Sequence, residues 1–281
     1  MTTITKSPTT ERTRAVAHRT FGARHGPVTR LMSPSDLGRR LKPFVFLDLF
    51  DADSSALSGF GWHPHSGIAT LTYLWDGDVR YEDTTGASGF LPSGGVEWFK
   101  AAGGAWHGGG GGKSGHARGF QLWLALPPDQ ELGPSESIYL KPDDIHSIGP
   151  VSVLLGSYGG VSSPLKAPAP INYLAVRLKA GENWRYEPPA GHDVAWLALA
   201  SGRLTVPETV AAGEMVAFDK SNQASDIRAE TDSEFVLGSA ASHPHDLVLG
   251  YYSVHTSPAA LETAERHIAE IRTRLGNEGI F

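Results

Sequence analysis

The sequence predicts an all-β protein of two small barrels packed face to face, with one helix at its C-terminal end. Three observations carry this. Short apolar or alternating segments recur between turn signals from about residue 44 onward, and 33 Gly and 19 Pro are spread along the 281 residues, as in chains of many short strands. The pattern "YLWDGDVRY" then "LPSGGVEWF" returns as "LALASGRLTV" then "AAGEMVAF", so the unit is read twice. Only near the end does the apolar spacing become helical.

Taken in order, "FVFLDLF", "IATLTYLW", "VRYED", "VEWF" and "FQLWLAL" read as strands of a first barrel over residues 1–157. Asp76-Gly77 and Ser201-Gly202 each fall between two such segments and predict tight hairpins, where glycine supplies positive φ. The Pro-, Gly- and Ser-rich stretch "YGGVSSPLKAPAPIN" marks the boundary, and "INYLAVRL", "VAWLALA", "MVAF" and "FVLGSA" belong to a second barrel over 158–281. Its helix is predicted over 258–275. Ser257 suits the N-cap and Pro258 the first turn, while Leu261, Ala264, Ile268, Ile271 and Leu275 form the apolar stripe and Gly276 ends it.

Composition excludes several functions. A net charge of -6 and a pI near 6.0 argue against nucleic-acid binding, which rests on Lys and Arg displacing counterions. The absence of cysteine removes disulfides, thiolate ligands and a cysteine nucleophile. The polar start "MTTITKSPTTERTR" lacks the apolar core of a secretory signal, no run suits a membrane span, and a cytoplasmic location is the expectation.

The stretch "AWHGGGGGKSGHARGF" admits three chemistries. A phosphate loop would need glycine where His107 stands and a helix after the Lys-Ser, whereas a strand pattern follows. An esterase oxyanion loop would need a G-x-S-x-G elbow, and no serine here has glycine two residues away on both sides. The third reading makes His107 a metal ligand. His63 and His65 are one residue apart, so on an extended segment both rings leave the same face, as chelation requires. His107 then arrives from a later strand of the same barrel. Three histidines filling core or surface positions are the alternative.

The segments "PFVFLDLF", "GWHPHSGIATLTYLWDG", "GGVEWFKAAGGAWH", "GFQLWLALPPDQE" and "HDLVLGYYSVHTS" resemble the pirin family of the cupin superfamily, from about Arg19 to Gly276. The resemblance implies two cupin barrels with a metal in the first only. It further implies Fe(II), with Zn, Ni, Cu or Mn as other ions that imidazoles accept. It implies either a quercetinase-like dioxygenase acting on a small aromatic or enol substrate, or a non-enzymatic regulator that binds a protein partner. Two family carboxylates are absent, for Gly109 and Ala69 stand at the acidic positions. An ion held by three neutral imidazoles keeps its full +2 charge, which favours substrates that are already anionic.

Glu97 is a candidate replacement ligand or base, against the plainer expectation of an exposed strand residue. His116 is a weaker one, against a solvated loop histidine. The glycines between them are expected to shape the entrance or to form a mobile surface loop. Trp62 and Trp106 flank the ligands and are candidates to line a substrate pocket, while Trp75, Trp98 and Trp123 are expected in the core. A second "HPH", His243 and His245, is a decoy, since only 36 residues follow it and half of them belong to the helix. The repeat puts Ala190 and Ser225 where the first barrel has His65 and His107, with only His192 nearby, so the second barrel is expected to hold no metal.

Overall fold

The computed structural model describes residues 13–57 and 61–280, and within them strands account for most of the regular structure. The first barrel has a large sheet in the order Glu136–Leu140, Val96–Lys100, Ile68–Asp83, His116–Ala125, Phe44–Asp53, Val28–Met32. A smaller layer facing it is formed by His63–His65, Ala105–Gly111, the distal half of Ile68–Asp83, and Ser88–Pro92. The second barrel repeats the plan. Its large sheet runs Val16–Thr20, Met215–Phe218, Val194–Ser201, Ser233–Ala240, Ile171–Leu178, Val151–Leu155, and its smaller sheet Asn183–Tyr186, Ser225–Ala229, Arg203–Val206, Glu208–Ala211.

Period-2 alternation decides which residues meet. On the large sheet of the first barrel, Leu71, Tyr73, Trp75, Trp98, Phe120 and Leu122 point toward the second barrel, where they share one core with Tyr173, Trp196, Met215 and Val236. Phe44 meets Trp196 edge-on at 5.4 Å between centroids. The alternate residues Thr70, Thr72, Glu97, Gln121 and Trp123 point the other way, into the first barrel. The two barrels thus pack through their large sheets, and Trp75 and Trp98 lie in that seam.

The expected hairpins at Asp76-Gly77 and Ser201-Gly202 are not hairpins. Ile68–Asp83 is one continuous strand whose register against His116–Ala125 slips at Trp75, a bulge, and Gly77 (φ +77°) lies where the strand then passes from the large sheet to the small one. A Cβ at Gly77 would lie 1.9 Å from the carbonyl oxygen of His116. Gly202 (φ +93°) makes the same passage between Val194–Ser201 and Arg203–Val206. Such a passage and a tight turn both need glycine at positive φ, and the dipeptides do not distinguish them.

Segments also cross the boundary expected at 157/158. Val16–Thr20 pairs with Met215–Phe218, and Val151–Leu155 with Ile171–Leu178, so both complete the second barrel's sheet. The C-terminal helix, Pro258–Asn277, begins where expected: Ser257 accepts from the Ala260 amide. It runs past Gly276, and it returns to the first barrel. Ile268, Ile271 and Leu275 pack on Trp106, whose indole Nε1 donates to the Ile268 carbonyl at 3.1 Å. The tail is further held by a buried pair, His255 Nδ1 with Glu131 at 3.0 Å.

Candidate metal centre

His63 and His107 are directly paired across antiparallel strands, and His65 lies two residues along the same face. The three rings converge with centroids 4.4 to 5.0 Å apart, and one ligand atom from each lies within 4.8 Å of the others. Among the described residues this is the one group of three or more metal-ligating side chains brought together.

Each ring is aimed by an acceptor behind it. His63 Nδ1 donates to the Gly61 carbonyl at 2.9 Å and His65 Nδ1 to the Tyr252 carbonyl at 3.0 Å. His107 Nδ1 faces Glu97 Oε1 at 3.5 Å. With Nδ1–H outward on all three, the Nε2 lone pairs point at a common space. Tyr252 holds its carbonyl there through a left-handed backbone (φ +54°), a conformation uncommon for a bulky residue. Phe99 stacks on His107 at 4.5 Å and Trp123 meets His65 edge-on at 4.8 Å, fixing the rings further.

This arrangement fits a cation and is poorly satisfied without one. His65 is fully buried, and its Nε2 has no hydrogen-bond partner, which costs roughly 1–3 kcal/mol for an ordinary buried polar atom. The Nε2 atoms of His63 and His107 are 2.9 Å apart. Three neutral rings have three protons, so either an outward bond or the central contact goes unmet. A divalent ion among the nitrogens removes the conflict. Burial, and then the neighbouring His107, lower the His63 imidazole to about 4 and the His65 imidazole well below its ordinary value, so both are neutral, ligand-ready bases near neutral pH.

Glu97 is neither exposed nor aimed at the space among the Nε2 atoms. It is buried behind His107, accepting from Thr72 Oγ1 at 2.7 Å, while the Tyr139 hydroxyl 3.4 Å away gives its proton to the buried Asp83 carboxylate at 2.8 Å. Burial pushes its carboxyl up, but the bonds from His107 and Thr72 outweigh this and hold it below the usual range. His116 stays on the surface in a 2.8 Å contact with Asp51, away from the three rings. Ala69 faces the seam between the barrels.

The glycine run is a strand, not a turn or a mobile loop. Gly108, Gly109 and Gly110 pair with Glu82, Tyr81 and Arg80 and line a cavity beside the histidines. Glycine is required because the backbone is crowded: a Cβ at Gly111 would lie 2.0 Å from the Ser54 carbonyl oxygen, and one at Gly112 would lie 2.2 Å from that of Asp78. The following amides of Lys113 and Ser114 already donate to the Asp78 carboxylate, which leaves no phosphate cradle.

The cavity measures about 390 Å³. Its aromatic wall includes Trp62, Trp123, Tyr139 and Tyr252. One floor is a polar row in register across the large sheet: Tyr139, Glu97, Thr72, Gln121, Asp48, Arg30. Arg30 grips Asp48 through two bonds of 3.0 Å. Trp106, expected beside Trp62 in this pocket, is turned away: as the strand neighbour of His107 it faces the opposite side, beneath the helix. In the second barrel Ser225 pairs with Tyr186, and Ser239 links Tyr186 and His192 through hydrogen bonds, with Asn172 donating to the Tyr186 hydroxyl. His243 and His245 lie in the loop after Ser233–Ala240 with no third ligand among the described residues. Sequence reasoning misses Tyr252, Thr72 and Tyr139; the weak sign of the first is the aromatic pair in "LGYYSVH" ahead of the helix.

Comparison with known proteins agrees with this architecture. The family profile described as Pirin matches residues 26–124. A protein of Pseudomonas aeruginosa provisionally named quercetin 2,3-dioxygenase is 32% identical over 232 residues, covering 75% of this chain and 79% of that one. A pirin-like protein of Caulobacter vibrioides is 34% identical over 194 residues, covering 64% and 68%. The crystal structure of a quercetin 2,3-dioxygenase from Acinetobacter baumannii superposes with a TM-score of 0.81 at 22% identity, over 92% of this chain and 95% of that one. A bacterial pirin from Escherichia coli in complex with nickel(II) gives 0.65 at 20% identity, over 82% and 98%. Among the described residues no helix is long and apolar enough to cross a membrane.

Proposed function

The chain belongs to the pirin family of two-barrel cupin proteins, and from that premise we propose that His63, His65 and His107 hold one divalent metal ion and that the protein is a dioxygenase acting on a small aromatic or enol substrate. The observation that carries this is the convergence of three Nε2 atoms, each ring aimed by an acceptor behind it, beside a cavity large enough for a ring system. When bound, the ion supplies Lewis acidity and open coordination positions. Fe(II) is the first choice, and Ni(II) follows from the nickel-bound relative.

The chain's own residues shape the rest. Trp123, Trp62 and Tyr252 offer flat apolar walls to a planar substrate, and Gln121 with the Arg30–Asp48 pair offers polar partners on the floor. Glu97 is engaged by Thr72 and faces the His107 Nδ1–H, so it is not a free base for a substrate hydroxyl. This supports a substrate that arrives as an enolate or as an acidic phenol. Gly109 contributes bare backbone to the cavity wall.

Oxygen consumption by protein loaded with Fe(II) or Ni(II), over a panel of flavonols and enediols, tests the reading. The expected result is substrate-dependent uptake that rises with the fraction of ionised substrate and disappears in His63→Ala. A fully loaded protein that takes up no oxygen with any member of the panel would favour the regulatory, partner-binding alternative.

A further inference from the structure

We propose that Glu97 is the positioning carboxylate of the metal centre. In this chain the negative charge that Gly109 cannot supply from the ligand shell is supplied one imidazole further out, through His107. The inference rests on the metal-binding reading above. Its basis is geometric. Glu97 is a strand residue facing the first barrel's interior, opposite Thr72 and Tyr139 in register, and it is 7% exposed. An unpaired carboxylate at that depth would be strongly unfavourable. One oxygen, Oε2, is satisfied by Thr72 Oγ1 at 2.7 Å; the other, Oε1, lies 3.5 Å from His107 Nδ1, the nearby Tyr139 hydroxyl being engaged by Asp83 at 2.8 Å. Phe99, two residues along the same strand, stacks on the His107 ring, so one strand fixes both the plane and the donor direction of that imidazole.

The other two ligands have only neutral carbonyls behind them, Gly61 for His63 and Tyr252 for His65. His107 alone of the three is backed by a carboxylate. A charged acceptor on Nδ1–H raises the donor strength of the opposite nitrogen and fixes its tautomer. A glutamate at 109 would face a separate obstacle, because a Cβ there would lie 2.8 Å from the Arg80 carbonyl oxygen. The backbone that builds the cavity wall thus disfavours a side chain where the family places its carboxylate, while the buried Glu97 remains next to a ligand.

The test compares metal affinity and spectrum in the full chain. Wild type, Glu97→Gln, Thr72→Val and His63→Ala are stripped of metal, and Co(II) and Ni(II) are titrated against a competing chelator, with Co(II) absorption bands recorded at saturation. The Glu97→Gln substitution keeps the size of the side chain, removes the charge and leaves one acceptor oxygen, which Thr72 or His107 can still use. The expected result is one ion per wild-type chain, an affinity roughly 10–100-fold weaker in Glu97→Gln, shifted Co(II) bands in the same variant, and an unchanged melting temperature of the metal-free forms. Thr72→Val, which loosens Glu97 without changing its charge, should give a smaller loss in the same direction. Equal affinities and bands in wild type and Glu97→Gln would overturn the role of Glu97 while leaving the three-histidine site intact. Absence of saturable binding in wild type, or undiminished binding in His63→Ala, would overturn the site itself and this inference with it.

Discussion

His65→Ala is expected to bind a divalent ion roughly 10²–10³-fold more weakly than wild type, since it removes one of only three protein ligands, and each tenfold loss corresponds to about 1.4 kcal/mol. His65 is the ligand whose loss should matter most. It is fully buried, its Nδ1 is engaged with Tyr252, and its Nε2 has no partner in the protein. Alanine also relieves that unmet acceptor, so the metal-free variant should lose less stability than a buried truncation usually costs. Elemental analysis after gel filtration, together with melting curves with and without metal, checks both halves. In wild type the metal should raise the melting temperature, as any ligand bound only by the folded state does, and in His65→Ala it should not. Retention of a full equivalent by the variant would remove His65 from the site.

The second large effect is expected at Trp106→Ala, which should destabilise the fold by about 3–5 kcal/mol, the range for truncating a buried aromatic. Its indole is the contact surface for Ile268, Ile271 and Leu275 and ties the helix to the strand bearing His107 through the Ile268 carbonyl. The side chain faces away from the cavity. Metal stoichiometry below the unfolding transition should therefore remain one per chain, and the change should appear in denaturant midpoints. If Trp106→Ala instead left stability unchanged and altered substrate affinity, the indole would have to face the cavity, contrary to the alternation of its strand.

How far these features can be read in the sequence depends on the range of the interactions involved. His63 and His65 are legible because period-2 geometry is local: two residues apart on a strand means one face. His107 is legible from its type and from the failure of the phosphate and esterase readings around it. The helix start follows from Ser257 and Pro258, again locally.

The place of Glu97 is not legible, because a lone glutamate on a strand is usually exposed and its burial depends on Thr72 and Tyr139 in neighbouring strands. Tyr252 reaches His65 from 187 residues away, a pairing that no periodicity encodes. The Asp-Gly and Ser-Gly dipeptides read as hairpins because a passage between sheets and a turn ask the same of glycine. Adjacency to His107 suggests the pocket for Trp106, yet adjacency on a strand means opposite faces, and nothing local indicates that the terminal helix covers that face.

The anomalous scattering of a crystal grown with Ni(II), collected on both sides of the nickel absorption edge, decides whether the three imidazoles hold one ion. The predicted result is a single strong peak about 2.0–2.2 Å from the Nε2 atoms of His63, His65 and His107, weakened or absent in His65→Ala. A difference map with no peak among the three rings, in protein shown to be folded and exposed to excess nickel, would contradict it.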